Sequence, residues 1–444
     1  MVQAVVVVKM IELDFIPKLS ESLFYTSKDD KHLFLNTDLP NWQVVNQNSA
    51  YIIGLIDNKR NIKEILEILK YQNINIPKTK VLELFEILKK YGIINDDLKV
   101  KKIENCCSTH SNKFHLVHIK LTDECNLSCK YCYAESGANK KDTLNINQLK
   151  NIVDEVKNIS HNVDYTLSGG EPLLYPNIFE LMKYIKDKGN NIFLLTNGMY
   201  ITKENVKEIA KLCSLIKISI DGSSEKINSI TRGKNSFEKA FNGYQLLLKE
   251  NANVQISMTV TKTNINDINN MVKLFGNKLT LQPFFKAGRG SDNDEFGITG
   301  EEYYQAMASI EGFQPIGRLG ELLEVFRNKG TTKCAMADSE ISISENGDVF
   351  PCQMLTDDEF CGGNIKEKTI KEILNSDKFK EVASFSSLTN EDCKVCPIRL
   401  LCGGACRARS YFETGSIFVN SDFCEYEKLA YLNGILEYTE LEEI

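Results

Sequence analysis

The sequence predicts an α/β protein: a parallel sheet with helices outside, curling into an incomplete barrel of six βα units, with a winged-helix domain before it and a cysteine-rich domain after it. Three observations predict this. Strand-like and helical patterns alternate six times between 114 and about 290, and repeated βα units imply a parallel sheet covered by helices. Three amphipathic helical patterns follow a short β region near the start. Cysteines recur at short spacings from 334 to 424.

The first part reads as 1–30, an N-terminal extension, followed by 31–98, the winged-helix domain. Strand-like residues His32–Leu35 and Trp42–Val45 precede helical patterns over Asn48–Ile56, Asn61–Leu69 and Val81–Tyr91, the last with Val81, Leu84, Phe85, Leu88 and Tyr91 on one face. Gly92 stops that helix, and Ile93 and Ile94 form a wing strand. The last helix offers few side chains that read base edges, and its glutamates repel phosphate. A DNA-binding wing and a purely structural cap are the competing readings. A polar linker spans 99–113 and includes adjacent Cys106 and Cys107, read as incidental.

In the barrel, 114–310, strand-like runs are Phe114–Leu121, Val163–Leu167, Asn191–Leu195, Leu215–Ile220, Val254–Val260 and Leu279–Phe284. Helical patterns such as Ile146–Lys157, Ile178–Lys188 and Phe237–Leu248 fill the gaps. Function in such barrels sits on the loops after the strands. The first such loop carries Cys125, Cys129 and Cys132. Three thiolates on one loop can hold three irons of a [4Fe–4S] cube, and the missing fourth ligand leaves one iron open. A closed zinc site would want four ligands in two pairs.

The 444 residues are 42% apolar and 25% charged, long enough for two or three domains with cores of their own. A net charge of −7 argues against a general nucleic-acid binder. Met1–Met10 lacks a basic n-region and a cleavage site, and no stretch is long enough to span a bilayer. The expectation is a cytoplasmic protein without a nucleic-acid or membrane partner. Metal-type spacings among its fourteen cysteines fit a reducing compartment better than disulfides. Cys213, in an apolar context, reads as a buried structural thiol.

The three-cysteine loop resembles the cluster motif of the radical S-adenosylmethionine (SAM) superfamily. The resemblance implies that Cys125, Cys129 and Cys132 hold a [4Fe–4S] cluster whose open iron chelates SAM. One electron then cleaves the sulfonium, and a 5′-deoxyadenosyl radical takes hydrogen from the substrate. Tyr131 matches the aromatic position against the adenine. Gly169, Gly170, Glu171 and Pro172 match the motif contacting the SAM amino group. Thr196 and Asn197 follow the third strand. Ser219 and Asp221 follow the fourth and are placed to meet a ribose hydroxyl, while Arg232 suits the methionyl carboxylate. Each short motif alone is more often a turn, but their order along successive strands is not.

Residues 311–444 resemble the SPASM extension, with two auxiliary iron–sulfur clusters, making three [4Fe–4S] clusters in all. The family pairing assigns Cys393, Cys396, Cys402 and Cys424 to one cluster, and Cys334, Cys352 and Cys406 to the other. The fourth ligand of the second site stays open between Cys361 and a substrate thiolate, and a zinc ribbon is the alternative for Cys393–Cys406. The first domain resembles the PqqD-like element of peptide-modifying enzymes, in Trp42–Asn46, Ile53–Lys59 and Leu88–Ile94. There a leader peptide adds as a strand to the sheet. Together these imply a maturase of ribosomally made precursor peptides, of the sactipeptide or ranthipeptide type. It would form a thioether from cysteine sulfur to carbon and draw electrons from a flavodoxin or ferredoxin type donor. Carbon–carbon crosslinking or another peptide oxidation is the alternative. Formylglycine formation, as in sulfatase maturases, loses ground because Gln353 stands where those relatives carry an acidic base. An electron carrier or metal-dependent regulator is the reading from another class.

Overall fold

The computed structural model describes residues 11–95, 115–138, 143–310, 330–439 and 441. The linker 99–113, with Cys106 and Cys107, and the 310/311 boundary therefore lie outside or at the margin of the described residues.

The N-terminal domain runs β1 (Lys18–Leu19), β2 (Leu23–Lys28), β3 (Lys31–Asn36), β4 (Asn41–Val45), α1 (Gln47–Gly54), α2 (Ile62–Tyr71), α3 (Lys78–Lys90) and β5 (Ile94–Asn95). Strands β2, β3 and β4 form an antiparallel sheet, and β5 pairs with β1. The sheet thus begins at Leu23, inside the 1–30 segment that the sequence alone marks as an N-terminal extension. Asn61 and Glu64 close a capping box that starts α2. Every residue of β4 and all but the first of β3 are buried, because both faces of the sheet are covered. Phe34 and Val45 join the helices in one core; Leu33, Leu35, Trp42 and Val44 face the other way, onto Ile398, Leu401, Leu432, Ile435 and Leu436.

The barrel strands are β6 (Leu116–Lys120), β7 (Asp164–Ser168), β8 (Asn191–Thr196), β9 (Leu215–Ser219), β10 (Val254–Val260) and β11 (Leu279–Pro283), all parallel. The sheet does not close. Instead β12 (Glu340–Ile343) pairs parallel to the free side of β6, and β13 (Asp348–Phe350) and β14 (Gly363–Asn364) continue it antiparallel. The C-terminal domain is therefore built onto the barrel sheet itself, a junction not foreseen from sequence.

Alternation sorts the strands into two faces. Val117, Ile119, Ile192, Leu194, Ile216, Ile218, Ile341 and Ile343 are buried in one core. The lumen face carries His118, Thr166, Ser168, Phe193, Leu195, Ser219, Ser257, Thr259 and Ser342, mostly polar. That face can hold water and a polar substrate.

Candidate active site

The loop after β6 is shaped by its own backbone. Cys125 N–H donates to Gly137 O (2.7 Å), Gly137 N–H to Asp123 O (3.1 Å) and Cys132 N–H to Cys129 O (3.3 Å). The loop after β7 lies directly on it: Gly170 N–H donates to Thr122 O (2.7 Å) and Glu171 N–H to Glu124 O (2.9 Å). A Cβ on Gly169 would stand 2.4 Å from Thr122 O, and one on Gly170 2.3 Å from Glu124 O. Glycine is demanded here by the approach of two protein loops.

Glu171 is fully buried and joins the second loop to the third. It accepts from Thr196 Oγ1 (2.8 Å), Asn197 N (2.8 Å) and Leu173 N (3.1 Å). Burial pushes its carboxyl up to about 7 against these donors. Asn197 Nδ2 in turn reaches Asn126 Oδ1 (2.8 Å) and lies 3.9 Å from Cys125 Sγ. Thr196 and Asn197 thus stand beside the cysteine loop, joined to it through Glu171 and Asn126.

The fourth loop differs from expectation. Asp221 is fully buried, and its carboxylate is used within the protein. It pairs with Arg232 (Nε 2.6 Å, Nη2 3.1 Å) and accepts from Thr231 Oγ1 (3.0 Å), Thr259 N (3.0 Å) and the Tyr131 hydroxyl. No oxygen is left over for a ribose, so of the expected pair only Ser219 keeps a lumen-facing hydroxyl. Burial opposes the Arg232 charge, but Asp221, Tyr131 and Cys129 outweigh it and hold the guanidinium protonated. Tyr131 packs edge-on against Phe284 and Phe296.

Arg289 was missed. It follows β11, donating from Nε to Cys129 O (2.9 Å) and from its backbone to Cys132 O (3.1 Å). Its Nη2 is buried without a hydrogen-bond partner among the described residues, an orphaned donor that suits an anionic group at the loop. Only the position after a last barrel strand could have signalled it.

The cysteines collect in three sets. Burial lifts Cys125 to about 11, and the Cys129 and Cys132 thiols add to it. Burial likewise raises Cys352, the Glu340 carboxylate adds to it, and Cys406 and Cys334 contribute less. Cys424 is pushed up to about 12 by burial, then by Cys393 and Cys396, and Cys402 feels Cys424 in the same way. Thiols raised by burial and by one another are what a bound cationic cluster would relieve, so the donor sets fit iron–sulfur groups. No three donors among the described residues converge as a single-ion site would, unlike a tetrahedral zinc site. Arg407, fully buried, bonds Ile417 O (3.3 Å) and Asn420 Oδ1 (3.2 Å), its Nε has no hydrogen-bond partner among the described residues, and its charge bears on Cys393 and Cys424. Cys361 instead points to Gly363 O (3.8 Å), and Cys213 is buried with its thiol at about 12.

Between the cysteine loop and β12–β13 lies a polar cavity of about 230 Å³, lined in part by His118, Lys120, Tyr133, Ser342, Glu345 and Gln353. Lys120 bridges Asp123 (2.5 Å) and Glu345 (2.9 Å). His118 bonds the Ser168 hydroxyl and the Gln353 side chain, and burial lowers it to about 4, so its imidazole is neutral. Tyr133 bonds Ser168 and is raised by burial, then by Cys132, to about 12.

A parallel barrel with a three-thiol loop at its mouth and eight further thiols in an attached domain defines a radical SAM enzyme carrying a SPASM domain. Residues 119–275 match the radical SAM superfamily, and 334–397 match the SPASM iron–sulfur cluster-binding domain. The chain therefore binds SAM and a [4Fe–4S] cluster in the first domain and auxiliary clusters in the second. It is 28% identical to the AdoMet-dependent heme synthase of Methanosarcina barkeri (71% of this chain, 97% of that protein). It is 27% identical to the mycofactocin maturase MftC of Mycobacterium tuberculosis (66% and 78%). With the antilisterial bacteriocin subtilosin biosynthesis protein AlbA of Bacillus subtilis the identity is 26% (71% and 74%). Its fold resembles anSMEcpe with bound AdoMet (TM-score 0.61, 21% identity, 72% and 93% covered). It also resembles Streptococcus suis SuiB bound to precursor peptide SuiA (TM-score 0.55, 16% identity, 91% and 98% covered).

Proposed function

We propose that this chain is a maturase of a ribosomally made precursor peptide, and that its product is an intramolecular thioether between cysteine sulfur and a residue carbon. One observation carries the reading: the N-terminal sheet is fused, through Leu33, Leu35, Trp42 and Val44, to the lobe that contains Cys396 and Cys402. A leader held on that sheet would keep its core peptide beside the clusters. Strands β2 and β4 are the sheet edges, and an edge is a template for an added peptide strand. The N-terminal quarter of the chain is also included in the SuiB fold, since the likeness covers 91% of this chain.

The bound cluster and SAM supply hydrogen-atom abstraction, with electrons from a flavodoxin or ferredoxin type donor in the cytoplasm. The protein's share is positioning. Arg289, Asn197 and Glu171 fix the loop that holds the cluster, the Asp221–Arg232 pair braces Tyr131, and the polar lumen admits the peptide. Gln353 stands directly after Cys352 where an acidic base would be needed, which disfavours formylglycine chemistry. The peptide thiolate would sit near the auxiliary clusters, which accept the electron.

Mass spectrometry of a neighbouring precursor peptide after anaerobic reaction with reconstituted enzyme, SAM and dithionite tests this. The expected result is loss of two hydrogens, with a cysteine no longer alkylated by iodoacetamide. The same loss with every cysteine alkylated moves the product to a carbon–carbon crosslink or dehydrogenation. SAM cleavage with no peptide change overturns the maturase reading.

A further inference from the structure

The loop after β11 is tied to the cysteine loop by its own hydrogen bonds. Arg289 donates its backbone N–H to Cys132 O (3.1 Å) and its Nε to Cys129 O (2.9 Å), so one residue holds the main chain of two ligand positions. Asn293 Nδ2 donates to Lys130 O (2.8 Å), between those cysteines, and to Arg289 O (2.6 Å). Gly288 permits the approach. Its φ is +52°, and a Cβ there would stand 2.5 Å from Tyr133 O and 2.6 Å from Cys132 O.

This anchoring leaves one end of the guanidinium over. With Nε committed to Cys129 O, the planar fork is fixed in direction. Nη2 is buried and donates to nothing among the described residues. The acids of the same loop do not neutralise it, because Asp294 pairs with Lys286 (2.8 Å) and Glu295 with Lys130 (3.7 Å). The buried carboxylate of Asp221 is taken by Arg232 (2.6 Å). A cationic edge shut away from water without an anion is costly.

We infer that Arg289 donates from Nη2 to the iron–sulfur cluster of the Cys125, Cys129 and Cys132 loop, and so raises that cluster's reduction potential. Thiolates and sulfides make such a cluster an anion, and hydrogen bonds to its sulfurs help set its potential. Lysine cannot take both roles, since one ammonium has no rigid fork to hold a carbonyl while aiming a second donor elsewhere. The inference rests on those three cysteines holding the cluster that meets SAM, and it is independent of which peptide product forms.

The test compares the full chain, reconstituted anaerobically, as wild type, Arg289→Met, Arg289→Lys and Cys129→Ala. Iron content, SAM affinity and a redox titration followed by electron paramagnetic resonance are measured. The signal that changes when SAM is added marks the first cluster and separates it from the auxiliary ones. Arg289→Met is expected to lower the reduced-to-oxidised ratio of that signal about tenfold at a fixed potential, about 59 mV for one electron, with the auxiliary signals unmoved. An unchanged ratio overturns the inference. If SAM affinity falls while the ratio holds, the anion is the methionyl carboxylate and the inference is equally overturned. Should Arg289→Met fail to load iron, Arg289→Lys decides: it keeps a charge but loses the fixed donor, so a lowered ratio supports the inference and a wild-type ratio overturns it. Cys129→Ala separates the two levels, because a surviving SAM-responsive signal there would sink the assignment of the loop itself.

Discussion

The indole of Trp42 donates from Nε1 to the hydroxyl of Thr439, 3.0 Å away, and so ties the N-terminal sheet to the end of the last helix of the chain. Arg399 adds a second tie, its Nη2 2.7 Å from Asp38 Oδ1, and Lys31 Nζ reaches Leu436 O at 2.8 Å. Arg399 lies between Cys396 and Cys402. The recognition sheet and the auxiliary-cluster lobe are thus one packed unit, and motion of one is felt by the other.

Trp42→Ala should therefore cost about 3–5 kcal/mol, the range for truncating a buried large aromatic, because Trp42 is only 1% exposed. Trp42→Phe keeps most of the packing and loses one hydrogen bond, about 1 kcal/mol. Denaturant unfolding of the two variants checks the order. In turnover, Trp42→Ala should lower peptide modification far more than peptide-independent SAM cleavage. Equal losses in both would show that the junction serves stability alone.

His118 predicts the acid limb of stability. Burial, with Lys120 adding to it, lowers its pKa from 6.5 to about 4 against the Gln353 bond. The unfolded chain binds a proton near 6.5 that the folded one refuses until about 4. Stability is then full above 6.5 and falls as the pH drops towards 4, by about 3 kcal/mol at most. His118→Gln should flatten that limb in unfolding measured from pH 7 to pH 4. An unchanged slope would mean that His118 does not titrate in this window.

The glycines of the second loop give a sharp contrast. Gly170→Ala drives a Cβ to 2.3 Å from Glu124 O, backbone that cannot move without the cysteine loop. Iron content and 5′-deoxyadenosine production should both fall to near background. Gly54→Ala meets nothing within 4 Å at the end of α1, and its stability should match wild type or exceed it by up to about 1 kcal/mol.

Much of this was legible because it is local. Three cysteines at fixed spacing, glycines after a strand and period-two alternation all lie within a few residues of one another, and the structure assembles Cys125, Gly170, Thr196 and Asn197 at one mouth. What sequence missed is partner choice across long separations. Asp221 looks like a ligand contact until Arg232, Tyr131 and Thr259 close on it. Glu340–Ile343 is too short for its alternation to announce a strand beside β6. Arg289 acts on a thiol it is far from in the chain, and no periodicity marks it. Leu23–Lys28 alternates weakly because half of it faces solvent.

The Asp221–Arg232 pair makes its own prediction. Both side chains are buried, 0% and 12% exposed, and removing one charge strands the other. Asp221→Asn should destabilise the protein by about 3–5 kcal/mol and loosen Tyr131, raising the SAM concentration needed for half-maximal cleavage. Asp221→Glu keeps the charge and should recover part of both. If Asp221→Asn instead kept wild-type stability and lost only SAM affinity, Asp221 would be a ligand contact and its role as a brace would be wrong.

The three thiol sets should separate by what their loss abolishes. Cys125 bears on Cys129 and Cys132, at the mouth where Asn197 and Arg289 hold the loop. Cys125→Ala should eliminate 5′-deoxyadenosine altogether, since the cluster that meets SAM loses one of three protein ligands. Cys393 sits in the other lobe with Cys396, Cys424 and the buried Arg407. Its replacement by Ala leaves the barrel mouth intact, so SAM cleavage should persist while modified peptide disappears. The destabilisation should also be local: with a cluster lost, the buried Arg407 charge is left beside fewer thiolates, and protease cleavage should rise near 393–424 before it rises in the barrel. Deoxyadenosine still formed by Cys125→Ala would sink the assignment of the first loop, whereas loss of SAM cleavage in Cys393→Ala would show that electrons reach SAM through the auxiliary lobe.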